Sequence, residues 1–499
     1  MDVRGFTTRV SVLCCFTALL VVPLQGMGQL VLDPSYSPQL LQQVTHVRTV
    51  MPIYDGRTVI VEFWEGGLFE PQFLNELACL EEDGSRDPSY SQLGNVLSLL
   101  PWTDEVFYMQ RASYPNYVQR YHVANGTVDP TFQIATSAFP GRYEISYLEK
   151  VSVDSEGRIY LLGIIDLLND SQEVIATKRL VRLDLHGDLD TTFTPATSPS
   201  LRAVFPMPDG RVLLSGAQAS YNGVQVPRVF MVQDDGSIDT GFSTGFATAT
   251  TTSVLALPDG GCIITGQFID FVSLIQLDTT YVVRLLPNGS RDMAFAADLH
   301  PRQTQYNGSY TSVRSIVPWG EDSYLISGNF DVVNGAQKRG IAMLDLAGHL
   351  RPDQCVWPGP GLVDGSVSVS MALDGSGGML AYGTFDGFDD GITISPAQGL
   401  ARFIHSDVVL ATEPASVAAT RSRVYPVPAK DVAWLEWSSG TLAYARMYDM
   451  AGSEVALFAS SGLASPLAID LQPHAPGSYV LRAVLDDGRS LVHRIHVLP

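Results

Sequence analysis

LRAVFPMPDGRVLLSGAQASYNGVQVPRVFMVQDDGSIDTGF, residues 201–242, holds one complete unit of a repeat. LRAVFPM is an apolar run, PDGR a turn, and RVLLSG a second apolar run in the opposite direction. Asp-Gly between apolar runs is a strong hairpin signal, because glycine supplies the positive φ that a tight turn requires. A loop carrying Tyr221-Asn222-Gly223 leads to a third run, RVFMVQ. Asp235-Gly236 turns the chain again, and Asp239-x-x-Phe242 closes the unit.

The closing pattern Gly-x-x-Asp-x-x-aromatic recurs as GSRDPSY (84–90), GTVDPTF (126–132), GDLDTTF (187–193), GSIDTGF (236–242) and GSRDMAF (289–295). A decayed copy, GHLRPDQ (348–354), has Arg351 and Gln354 at the two key places, and a leading fragment LDPSY occupies 32–36. Hairpin turns precede these glycines at YDGR (54–57), SEGR (155–158), PDGR (208–211), PDGG (258–261), GEDS (320–323) and LDGSGG (373–378), with the weaker PWTDE at 101–105. Seven units of three or four antiparallel strands predict an all-β fold, a seven-bladed β-propeller over residues 30–408. The first corner has no unit before it and the seventh unit no corner after it, so strands from both ends are expected to close the ring and remove its open edge. The recurring Asp is expected to accept backbone N–H bonds at the corner, and the aromatic to wedge between blades.

LPDGGCIITGQF, SGNFDVVNGAQKRGIAMLDLAG and GSIDTGF resemble the delta-60 repeat family of propeller-like proteins, most clearly in units four to six. That resemblance implies a fold and no activity.

Residues 1–28 read as a signal peptide. Arg4 and Arg9 precede the apolar stretch Val10–Val22, and Gly26 and Gly28 set small residues before a cut at Gln29. No later run is apolar enough for a membrane-spanning helix. Residues 409–420 (VLATEPASVAAT) form a linker of mostly small residues, and a different pattern of short strands fills 421–499, predicting a small immunoglobulin-like β-sandwich. Tyr425-Pro426-Val427-Pro428-Ala429, Met447-Tyr448-Asp449-Met450-Ala451-Gly452 and Gly477-Ser478-Tyr479-Val480-Leu481 resemble, in order, three motifs of the type IX secretion C-terminal sorting domain. Val427 stands where that family usually has Asn. The resemblance implies a bacterial protein that meets the type IX secretion machinery through residues 421–499 and is released or attached at the cell surface.

With 52 acidic and 31 basic residues the net charge is −21, which disfavours nucleic acid and anionic membrane as partners. Cys79, Cys262 and Cys355 are too scattered for a disulfide framework or a metal set. The sequence offers no catalytic, cofactor-binding or metal residue: it lacks H-E-x-x-H, a P-loop and G-x-S-x-G. His493 and His496 are expected on opposite strand faces, and Asp386–Gly391 has Phe388 where a calcium loop needs oxygen. Two functions stand: a binding or adhesion propeller for an extracellular protein or glycan, and a secreted polysaccharide hydrolase or lyase. Carboxylates or a His/Tyr/Arg group at the central funnel would favour the enzyme; aromatic loop tips would favour binding.

Overall fold

The computed structural model describes residues 30–497 except 41–45, 54, 66–72, 92, 112–116, 135–141, 196–199, 218–219, 272–276, 305–310, 353–354, 356–358, 361–367, 375–377, 390–393, 406–421, 426–428, 439, 450–453, 460–464 and 487–489. The expected leader and linker, and residues 426–428 and 450–452 of the sorting-like motifs, therefore lie outside the described residues. Every element among the described residues is a strand, and no helix is long and apolar enough to cross a membrane.

Between residues 30 and 405 the main strands form antiparallel sheets whose strands follow one another in sequence. Sheet 1 is His46–Pro52, Thr58–Glu65 and Phe73–Leu80; sheet 2 is Val96–Pro101, Val106–Arg111 and Tyr117–His122. Sheet 3 is Tyr143–Val153, Ile159–Leu168 and Val174–Leu183; sheet 4 is Leu201–Pro206, Val212–Gly216 and Val229–Val232. Sheet 5 is Thr248–Ala256, Cys262–Phe271 and Leu277–Leu285; sheet 6 is Ser312–Trp319, Ser323–Asn329 and Ile341–Asp345. Sheet 7 is Ser368–Leu373, Met379–Thr384 and Leu400–His405, completed by the N-terminal strand Leu30–Leu32, in which Val31 pairs with Ile404. The expected joining of both ends is this pairing.

Sheets 1 to 6 have three strands, the lower of the two counts expected per unit. The fourth position shrinks to a single antiparallel bridge, such as Val232 to Ile238 or Leu285 to Arg291, because the Asp-Gly turn is followed at once by the corner.

Packing runs from sheet to sheet. Tyr90 sits in a core built by sheets 1 and 2, and Phe132 in one built by sheets 2 and 3. Phe193 joins sheets 3 and 4, Phe242 sheets 4 and 5, and Phe295 sheets 5 and 6. Tyr36 lies in the core that joins sheet 7 to sheet 1. Cys355, fully buried, belongs to the core between sheets 6 and 7, where the decayed corner has no aromatic. The wedge reading of the aromatic therefore holds wherever the motif is intact.

The corner aspartate works on two sides. One Asp239 oxygen accepts the Gly241 N–H at 2.9 Å, and the other accepts from Arg211 at 3.0 Å. Asp33, Asp87, Asp129 and Asp190 repeat this with Arg402, Arg57, Arg120 and Arg182. Burial pushes the Asp129 carboxyl up, but the Thr131 hydroxyl and N–H together with Arg120 outweigh it and hold the group at about 2. In the decayed corner the pair is reversed: Arg351 takes the aspartate's place and bonds Asp322 of the hairpin turn at 2.7 Å.

Each corner also docks on the next. The residue after the aromatic donates its N–H to the carbonyl before the next corner glycine, as in Thr194 to Asp235, Ser243 to Asn288 and Ala296 to Ala347, each at 2.9 Å. That contact leaves no room for a side chain: a Cβ on Gly289 would lie 2.6 Å from the Ser243 nitrogen.

The C-terminal part forms two further sheets around one apolar core that includes Leu435, Trp437, Met447, Ile469, Leu481 and Ile495. One holds Ser422–Tyr425, Val432–Trp437 and Leu467–Asp470; the other holds Glu454–Ala459, Leu442–Asp449, Gly477–Leu485 and Ser490–Val497.

Candidate functional site

The first strand of each sheet contacts the first strand of the next, and sheet 7 contacts sheet 1 in the same way. These innermost strands share an irregularity. In sheets 1 to 6 the ladder to the second strand skips a residue, leaving Arg48, Leu97, Glu149, Arg202, Thr252 and Arg314 as bulges; sheet 3 skips Ser146 as well, and sheet 7 has no such shift. A bulge kinks its strand and re-aims a side chain. Opposite most bulges the second strand carries glycine, because a Cβ on Gly163, Gly266 or Gly328 would overlap the innermost strand's carbonyl oxygen. Sheets 1 and 2 have Glu62 and Arg111 at that place instead.

Neighbouring bulges touch. The Arg48 Nε donates to the Leu97 carbonyl at 3.1 Å, the Thr252 hydroxyl donates to the Val313 carbonyl at 2.8 Å, and Arg202 lies 3.7 Å from Glu149. Between the innermost strands of sheets 1, 2 and 3 a cavity of about 500 Å³ opens, lined by Arg48, Ser98, Gln110, Tyr147, Glu149 and Lys150, among others. This is the size of a small-molecule site, roughly 300–1,000 Å³.

Its charges are uneven. Glu149 is engaged by Arg179 and faces Arg202. Arg48 and Lys150 make no ion pair among the described residues. Burial pulls the Arg48 guanidinium below its ordinary pKa. Burial also pulls Lys150 down, against the pull of Glu149, and its ammonium lies 4.3 Å from the Phe205 ring centroid. Tyr147 is half exposed and pairs across the sheet with Ile164, itself 42% exposed. The cavity can therefore hold a compact anionic group beside a flat apolar surface.

Other sequence features fall elsewhere. Tyr221, in the loop between the second and third runs of its unit, is buried and donates its hydroxyl to the Gly236 carbonyl at 2.9 Å, so it is part of the scaffold. Phe388 is buried against Phe403, and Asp389 pairs with Arg339. Among the described residues no group of three or more His, Cys, Asp or Glu could hold a metal ion. Cys79, Cys262 and Cys355 are free and buried, and burial pushes each thiol up to about 12, which makes them poor nucleophiles. His493 is buried in the C-terminal core, its Nε2 3.0 Å from the Ser422 hydroxyl; the His496 side chain lies outside the description.

The cavity residues carry no catalytic signature, which is why motif reading passes over them. A signal was present: HVRTVMP, LRAVFPM and SVRSIVPW place arginine at the same point of units one, four and six. Without the bulge register these look like ordinary exposed positions.

Residues 208–242 match DUF5122, a β-propeller domain of unknown function. This is the unit bounded by the PDGR hairpin and the Asp239–Phe242 corner, and together with the all-β sheet order it marks a fold of propeller type. No curated protein matches the chain. Among solved structures, the propeller domain of the trilobed protease of Pyrococcus furiosus is similar at 6% identity over 80% of this chain and 91% of its own, with a TM-score of 0.30. A Bacteroides caccae protein of unknown function is 12% identical over 56% of this chain and 91% of its own, TM-score 0.27. The polysaccharide lyase Uly1 is 12% identical over 48% and 57%, TM-score 0.25. Likenesses of this size carry no information on ligand or activity.

Proposed function

We propose that this is an exported bacterial protein, extracellular or attached at the cell surface, whose seven-bladed delta-60-like propeller binds an extracellular protein or glycan. Residues 421–499, an immunoglobulin-like sandwich, serve as its type IX sorting domain, and 1–28 as its leader. The observation that carries the binding reading is the cavity on the innermost strands, where the exposed Arg48 makes no ion pair among the described residues. The three ordered sorting-like motifs carry the export reading.

A second reading, polysaccharide hydrolase or lyase, draws support from Arg48, Tyr147 and Lys150 lining one cavity. Against hydrolysis, Glu149 is the one carboxylate named among the lining residues, and it is held by arginine, whereas glycosidases use a pair.

Both readings meet one experiment. The purified chain is applied to arrays of glycans and extracellular proteins beside Arg48→Ala and Tyr147→Ala, and captured glycan is sized afterwards. Capture without shortening, lost in the variants, is expected; shortened glycan would favour the enzyme, and capture unaffected by either variant would place the ligand elsewhere. For export, the full chain and a version ending near Ala419 are expressed in a host with a type IX system. Only the full chain should leave the periplasm, shortened at its C-terminus; equal export of both would sink the sorting role.

A further inference from the structure

We infer that the cavity on the innermost strands is a subsite for an acidic sugar, a uronic-acid residue of an anionic polysaccharide, held through its carboxylate by Arg48. This rests on the binding reading above and names its ligand class.

The charge argument comes first. The chain has a net charge of −21, yet Arg48, Arg202 and Arg314 occupy equivalent bulges of three innermost strands, and Lys150 adjoins a fourth bulge. Glu149 is paired with Arg179 and Arg202, and Arg48 makes no ion pair among the described residues. Arg48 uses its Nε on the Leu97 carbonyl, and its two terminal nitrogens make no hydrogen bond among the described residues. That free fork matches a carboxylate with two parallel bonds. In a partly desolvated cleft such a contact is stronger than at open surface.

The shape argument separates a sugar from a bare anion. Tyr147, half exposed beside Ile164, offers a flat apolar face with a polar tip, which suits the C–H face of a pyranose ring. Gln110, almost fully buried, accepts from Ser98 at 3.2 Å, and its amide N–H groups make no hydrogen bond among the described residues. Those donors suit ring hydroxyls. A polyphosphate would gain nothing from the apolar face of Tyr147.

The test is calorimetric titration of the full chain with trigalacturonate, with neutral galactotriose, and with an acidic hexapeptide of Asp and Glu. Trigalacturonate should bind, with galactotriose weaker by about tenfold or more, the size of one charge-assisted contact. Arg48→Gln should lose about tenfold for trigalacturonate only, and Tyr147→Ala should weaken both sugars, with urea midpoints unchanged. Equal affinity for the two sugars, with Tyr147→Ala weakening both, would overturn the acidic-sugar assignment and leave the binding reading standing. Tighter binding of the hexapeptide, or an Arg48→Gln variant that is folded and binds as wild type, would overturn it too. If none of the three probes binds while the array captures another ligand through Arg48, this inference falls alone; if the array captures nothing, both fall.

Discussion

Gly260 and Gly289 belong to the same repeat unit and share a backbone φ of +82°, yet their surroundings differ. A Cβ on Gly260 would have Pro287 as its nearest neighbour at 3.8 Å, ordinary contact. On Gly289 it would meet the Ser243 nitrogen, oxygen and carbonyl carbon at 2.6, 2.8 and 2.9 Å. Gly260→Ala therefore incurs only the left-handed backbone penalty, about 1–2 kcal/mol. Gly289→Ala incurs that penalty plus overpacking of about 1–3 kcal/mol and damage to the Ser243–Asn288 hydrogen bond, worth about 0.5–1.5 kcal/mol. The stiffening of the unfolded chain by alanine is common to both and cancels in the comparison. Gly289→Ala should thus be less stable than Gly260→Ala by about 2–4 kcal/mol. Urea unfolding of the full chain followed by tryptophan fluorescence reads this as a lower midpoint at unchanged slope. Equal midpoints for the two variants would refute corner-on-corner docking as a reason for the repeated glycine.

Phe242→Ala should destabilise the chain by about 3–5 kcal/mol as a buried aromatic, and Asp239→Ala by about 0.5–2 kcal/mol as a turn cap, in the same melts. Arg402→Ala withdraws the guanidinium from Asp33 and Asp374, whose side chains are 4% and 11% exposed, and should cost about 3–5 kcal/mol. Arg351→Ala, whose partner Asp322 is 44% exposed, should cost about 0–1 kcal/mol; a loss as large as that of Arg402→Ala would contradict the burial argument. Burial holds His493 at about 4 against 6.5 when unfolded, so the unfolded C-terminal part binds a proton that the folded one refuses. Its stability is therefore full above about pH 6.5 and falls by about 3 kcal/mol as pH drops to about 4, with no further loss from this group below that. His493→Phe should flatten that slope in pH-dependent melts, and an unchanged slope would assign it to other groups.

The sheets were legible in the sequence because hairpin glycines, corner motifs and apolar alternation all repeat together. Units one, two and seven were the faint ones, and for the first two the structure gives a reason: Glu62 and Arg111 stand where later units carry glycine against the innermost strand. Glu62 is buried and paired with Arg86, so a different local solution replaces the motif. Three and four strands per sheet could not be told apart in the sequence, since a one-residue bridge and a strand share the same apolar signal. Tyr221 read as a loop tip because sequence cannot tell a side chain folded back under its own turn from one facing solvent. The cavity was the least legible feature. It depends on a one-residue slip repeated in six strands, and a slip changes where Arg48 points without changing any residue around it.

The pairing of Leu30–Leu32 with Leu400–His405 sets an order of events as well as a shape. Asp33 and Arg402 are 369 residues apart in the chain, so sheet 7 has no fourth strand until nearly all of this region has been made. Closing so long a loop is entropically costly and slow compared with the local hairpins of sheets 1 to 6. Local pairing in sheets 1 to 6 is thus expected before this seam is latched. Until then the region is an open arc of sheets, and its seam closes only once both ends are present together.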